Sequence, residues 1–148
     1  RSADVDDRLE DCAEHIKSVM SDIEHLDLNL LLMPHDGLTD DPDRLTELIK
    51  RIGGFRIGAM PIYGRSSDEA AELEHLRKLA PYAGAIQLRV DKYTRAGKHK
   101  GLGLAAAINT IRKVGYLNTV TIEYTGGSDP SRAIECARVE LQDAIDAE

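Results

Sequence analysis

Glu123 carries the sharpest chemical implication in the chain, in the β-rich run Thr119-Val120-Thr121-Ile122-Glu123-Tyr124. Strand side chains alternate between faces, so Glu123 shares a side with Thr119 and Thr121 and opposes Val120, Ile122 and Tyr124. A carboxylate on the inner side of a sheet is costly without a cation, a metal or a proton. Two readings stay open: a metal ligand or general acid/base, or an ion pair with Arg89 or Arg56, which share its parity. His35 follows a second apolar run, either within reach of a ligand or paired with its neighbour Asp36. Tyr63, Gln87, Arg89 and Lys92 belong to the ends of other apolar runs and are candidates to hold and orient a substrate.

Two loops could handle anions. Lys92, Arg95, Lys98, His99 and Lys100 concentrate positive charge and either hold a phosphate or carboxylate or form a solvated mobile loop. Thr125-Gly126-Gly127-Ser128 could present backbone amides to a phosphate, but Asp129 occupies the helix cap and would repel an anion, so the glycine pair reads as a turn device.

These residues depend on a repeating scaffold. Val5, Leu9, Cys12, Ile16, Val19, Met20, Ile23 and Leu26 step by three or four, the signature of an amphipathic helix. A short apolar run over residues 28–33 follows and ends at Pro34 and Gly37. Asp41-Pro42 then opens a helix carrying Leu45, Leu48, Ile49 and Ile52 and closing at Gly53-Gly54. The next strand is expected over residues 55–60, and a Ser66/Glu69 capping box opens a helix that ends at Pro81. Strands at 85–90 and 119–124 flank a helix bearing Leu104, Ile108, Ile111 and Val114 and ending at Gly115, and Asp129-Pro130 starts the last helix. The order α(βα)4 predicts a parallel sheet with crossover helices.

Parity sharpens that expectation. Leu28, Leu30 and Leu32; Phe55, Ile57 and Ala59; Ile86, Leu88 and Val90; and Val120, Ile122 and Tyr124 form one apolar face suited to helices. The other face holds Asn29, Leu31 and Met33; Arg56, Gly58 and Met60; Ala85, Gln87 and Arg89; and Thr119, Thr121 and Glu123, too polar for a second helical layer. Such a face suits a barrel interior, whose polar groups gather at the carboxyl ends of the strands. Four βα units cannot close a barrel, so the expected fold is an α/β half of a TIM (β/α)8 barrel preceded by one helix. The rest would be a missing amino-terminal half or a second chain. The alternative, a flavodoxin-like doubly wound sheet, requires helices on both faces.

Composition narrows the function classes. The 148 residues suit one domain, and 26 acidic against 19 basic residues give a net charge of −7, which disfavours broad attraction to nucleic acid or anionic lipid. Residues are 42% hydrophobic and 30% charged, a globular balance, and no apolar run is long enough for a membrane helix. Only two cysteines, Cys12 and Cys136, occur, far apart, so no disulfide framework or zinc site is indicated and a cytoplasmic setting is expected. The chain starts at Arg1, with no signal peptide, and is expected to be a fragment.

Three segments together resemble the carboxyl-terminal half of the xylose isomerase-like TIM-barrel family, the sugar phosphate isomerases and epimerases. They are Leu32-Met33-Pro34-His35-Asp36-Gly37, similar to the family's Glu-Asn-His segment; Ile57-Gly58-Ala59-Met60-Pro61-Ile62-Tyr63-Gly64, similar to its Gly-x-x-x-Asp-x-Gly-Asn segment; and Gly115-Tyr116 with Thr121-Ile122-Glu123-Tyr124-Thr125-Gly126, similar to its closing Gly-Tyr…Ile-Glu-Tyr-x-Gly. The resemblance implies a sugar or sugar phosphate as ligand and, in intact members, one divalent metal (Mn or Mg) with two glutamates shuttling a proton. By the same resemblance Met33, Ile62 (or Met60) and Gln87 stand where the first glutamate, the aspartate and the histidine would be, and only Glu123 matches. Thioether, alkyl and amide groups do not replace hard oxygen and imidazole ligands, so no cofactor is expected. Two functions follow: an isomerase or epimerase relative with Glu123 as acid/base and His35, Arg89 or Lys92 orienting the sugar, or a non-catalytic barrel half that binds a metabolite or packs on a partner.

Overall fold

The computed structural model describes residues 2–147. Helix α1 (Ser2–His25) precedes strand β1 (Leu30–Leu32), helix α2 (Pro42–Ile52), strands β2 (Ile57–Ala59) and β3 (Ile62–Tyr63), and helix α3 (Glu69–Leu79). A 3-10 turn (Ala80–Tyr82), strand β4 (Ala85–Val90), helix α4 (Leu104–Lys113), strand β5 (Thr119–Tyr124) and helix α5 (Pro130–Asp146) complete it.

All strand pairs are parallel and run in chain order. β2 and β3 act as one strand broken at Pro61, which has no N–H to donate. The first half pairs with β1 and the second with β4, and Ala59 O and Pro61 O accept from Gly84 N and Gln87 N to join the halves. Each helix packs on the next in sequence, α1 on α2 through α4 on α5, so the helices form one layer. Its core joins Ile86, Leu88 and Val90 of β4 to Leu76, Leu104, Ile108, Ala137 and Leu141. Gln87 and Arg89, one residue out of phase, remain partly exposed on the other side. This one-sided arrangement excludes the doubly wound alternative and gives the wall of half a TIM barrel.

Local chemistry sets the boundaries. Asp41 accepts from the amides of Asp43 and Arg44 and Asp129 from that of Ser131, as their cap positions predict. Gly53, at φ 70°, ends α2 in a backbone region that a side chain disfavours. Three expectations are corrected. Leu28 and Phe55 lie before their strands and are exposed, Phe55 fully, because the chain is still turning there: Asp27 has φ 54° and Gly54 φ 90°. No Ser66/Glu69 capping box forms. Asp68 caps α3 through the Ala71 amide, and Glu69 instead reaches Gly103 N at 2.7 Å.

Candidate functional site

The register of β4 on β5 sets Gln87 beside Thr121 and Arg89 beside Glu123. On the open face, Glu123 Oε2 accepts from Gln87 Nε2 at 2.6 Å and from Arg89 Nε at 2.7 Å. The Glu123 side chain is 38% exposed, and its other oxygen has no protein hydrogen bond among the described residues. Arg89 holds the carboxyl below the usual carboxylate range and Gln87 adds to this, against a smaller opposing effect of partial burial. Glu123 is therefore ionised at neutral pH and is a weaker base than an unpaired glutamate. Of the two cations that share its parity, Arg89 is the partner; Arg56 pairs with Asp27.

The other expected site residues scatter. His35 is exposed, its amide bonded to Thr39 Oγ1 at 3.2 Å and its ring 3.5 Å from the Asp36 carbonyl oxygen. The Asp36 carboxylate lies 3.6 Å from Arg65 rather than on the histidine. Lys92 projects into solvent, 3.9 Å from Asp91. Tyr63 faces the helices: it is 1% exposed, its hydroxyl lies 3.2 Å from Gly103 O and 3.3 Å from Glu69 Oε1, and burial pushes its pKa up. Its pairing with Leu88, a core residue, accounts for that orientation, since laterally paired residues of parallel strands share a face.

A cavity of about 490 Å³ opens beyond the carboxyl ends of β3, β4 and β5, lined by Arg65, Ser66, Arg89, Asp91, His99 and Lys100 among others. Two devices build it. The segment over residues 92–100 is an antiparallel hairpin, with Thr94 N bonded to Lys98 O and Lys100 N to Lys92 O, both at 2.8 Å, and the Tyr93 and His99 rings 5.3 Å apart. Expected as a solvated loop or an anion clamp, it divides its basic residues: His99 and Lys100 line the cavity, whereas Arg95 and Lys98 line others. Glu72 of α3, 6% exposed, takes the amides of Gly64 and Arg65 on one oxygen and that of Ser66 on the other, at 2.8, 3.2 and 2.9 Å. This fastens the loop that carries Arg65, whose guanidinium bonds Asp40 at 2.8 Å. Glu72 and Arg65 escaped the sequence reading. The available signal was Gly64-Arg65-Ser66-Ser67 directly after a strand, a small polar turn whose amides need an acceptor.

The donors do not fit a hard divalent cation. Glu123 is already bonded to a guanidinium, Gln87 offers it an amide nitrogen, and no group of three or more His, Cys, Asp or Glu side chains among the described residues is placed to hold a metal. No helix among the described residues is long and apolar enough to cross a membrane.

No family model and no curated protein matches the sequence. Among solved structures, one of L-ribulose 3-epimerase superposes with a TM-score of 0.70 at 14% identity, over 94% of this chain and 56% of that chain. The present chain thus spans little more than half the length of that relative in structure. What the likeness establishes is the fold, a parallel α/β half of a TIM barrel.

Proposed function

We propose that this chain binds a small sugar or polyol on the open face of its half barrel, at the carboxyl ends of β4 and β5. One observation carries the reading: a single oxygen of Glu123 absorbs both Gln87 and Arg89, leaving the other oxygen without a protein partner. The two terminal guanidinium nitrogens of Arg89 also have no hydrogen-bonded acceptor among the described residues. A polyol hydroxyl both donates and accepts, so it can bridge that carboxylate oxygen and those N–H groups. The fold likeness to a structure named as a ribulose epimerase supports a ketopentose as the first ligand to try. The pairing of Glu123 with Arg89, which depresses its basicity, favours binding over proton transfer. Four further βα units, from elsewhere in the chain or from a second chain, would cover the open face and complete the pocket.

Calorimetric titration with ribulose tests the reading. The expected result is saturable binding weakened at least tenfold, about 1.4 kcal/mol, in Glu123→Gln. Wild-type protein that takes up no ribulose refutes it. Stoichiometric manganese binding lost in the same variant, with deuterium incorporated into ribulose in heavy water, would instead establish the metal-dependent isomerase or epimerase reading. Light scattering checks barrel completion: a well-behaved monomer that exposes no apolar surface counts against it.

A further inference from the structure

We propose that the hairpin over residues 92–100 is a pH-operated clasp at the mouth of the half barrel, fastened when the His99 ring is protonated and loosened when it is neutral. The clasp is independent of the sugar-binding reading and stands if that reading fails. The His99 side chain is 4% exposed, and its Nε2 is buried with no hydrogen-bond partner, 3.6 Å from Asp91 Oδ1. At the other end of the ring, Nδ1 lies 3.3 Å from the Leu102 carbonyl oxygen. Both facing groups, a carboxylate and a carbonyl, only accept. A neutral imidazole has a single N–H, so either tautomer aims a bare nitrogen lone pair at one of these oxygens, out of reach of water. Imidazolium has two N–H groups and satisfies both ends at once. Little room is left for the ring to turn away: a Cβ on Gly101 would fall 2.5 Å from its Cε1, and the Tyr93 ring stands 5.3 Å off.

The position of these groups turns one proton into a fastening. His99 lies on the returning arm of the hairpin, Asp91 at its root just past β4, and Leu102 on the lead into α4. A charged ring ties the arm to both, whereas a neutral ring keeps one tie and sets acceptor against acceptor at the other. The remaining charged neighbours hold their charge across the range in which a histidine titrates. Glu140 of α5 accepts from the His99 amide at 3.2 Å, Glu69 of α3 from that of Gly103 at 2.7 Å, and Arg65, Arg89 and Lys100 line the cavity beside Asp91. Carboxylates ordinarily titrate near about 4, and tyrosine, lysine and arginine at about 10 or above. Cys136, whose Sγ lies 3.2 Å from where a Cβ on Gly97 would sit, is the other group to control for. A histidine whose charged form folding favours stabilises in full below the unfolded value of about 6.5, and that stability is lost as pH rises. The clasp is therefore shut on the acid side and loose on the alkaline side.

Amide hydrogen exchange of the whole chain at about pH 5.5 and about pH 8.5, corrected for the intrinsic chemical rate, reads the clasp directly. The Thr94 and Lys100 amides, which bond across the hairpin, should lose protection about tenfold or more at the higher pH, while the amides of β4 keep theirs. In Asp91→Asn the side-chain NH2 can donate to the Nε2 of a neutral ring, so the difference between the two pH values should vanish. Cys136→Ser should keep it. Equal hairpin protection at both pH values, a matching loss throughout β4, a difference that survives Asp91→Asn, or one abolished by Cys136→Ser overturns the clasp. Nitrogen-15 shifts of the His99 ring give a second reading that needs no variant. A doubly protonated ring at about pH 5.5 supports the clasp, and a neutral ring there, in the folded chain, overturns it.

Discussion

Replacing Glu72 isolates what holds the candidate site in shape. In Glu72→Ala the amides of Gly64, Arg65 and Ser66 lose a buried, charged acceptor. A hydrogen bond to a charged group contributes roughly 1.5 to 3 kcal/mol, but these donors lie in a partly exposed loop where water can replace part of each bond. A total cost of about 3 kcal/mol follows, or a fall in Tm of roughly 6 to 12 °C for a chain of this size. Glu72→Gln is more informative. Its carbonyl oxygen can keep the pair donated by Gly64 and Arg65, but its NH2 then confronts the Ser66 N–H, donor against donor. Alternatively it flips and keeps only Ser66, so about 1 to 2 kcal/mol should be lost in either case. Urea denaturation gives both values, and amide hydrogen exchange should show residues 64–66 losing protection before the core of β4. A cost below about 0.5 kcal/mol for Ala, or unchanged exchange at those amides, refutes the claim that Glu72 fastens the loop.

Three further outcomes test other parts of the structure. Because Arg89 lowers the Glu123 pKa on folding, the stability this supplies is present above the unfolded carboxyl value, about 4.3, and disappears as pH falls through the lower folded value. The difference between wild type and Glu123→Gln should stay level from pH 7 to about 5 and shrink below about 4. With both side chains about one-third exposed, it should not exceed about 1 kcal/mol; a larger gap in denaturation would mark Glu123 as a structural residue. Tyr63→Phe should cost about 1 kcal/mol and leave ribulose affinity unchanged, as a core tyrosine requires; a tenfold loss in calorimetry would return Tyr63 to the site. Leu88→Ala, at a side chain with 0% exposure against the helical layer, should cost about 2 to 5 kcal/mol by urea denaturation, and a change under about 1 kcal/mol would contradict the one-sided core.

How much was legible in the sequence varies with the range of the interaction. In β4 the alternation of Ile86, Leu88 and Val90 with Gln87 and Arg89 already separates helix side from open side, and the structure follows it. The caps at Asp41 and Asp129 were equally local and equally readable. Capping at Ser66 was not, because the helix starts two residues later with Asp68 as its cap, on the Ala71 amide, and Glu72 from inside the helix takes the Ser66 amide. Tyr63 follows a break at Pro61, and its facing could be set only by pairing with Leu88 of another strand.

By itself the sequence determined the βα order, the apolar face and the presence of Glu123 on the other face, since helical and strand periodicities are properties of neighbouring residues. The tertiary structure alone decided that Arg89 rather than Arg56 meets Glu123, that Glu72 closes on residues 64–66, and that His99 folds inward while Lys92 stays in water. Those choices depend on register between strands and on loops meeting across the sheet. No spacing along a single chain encodes such distances directly.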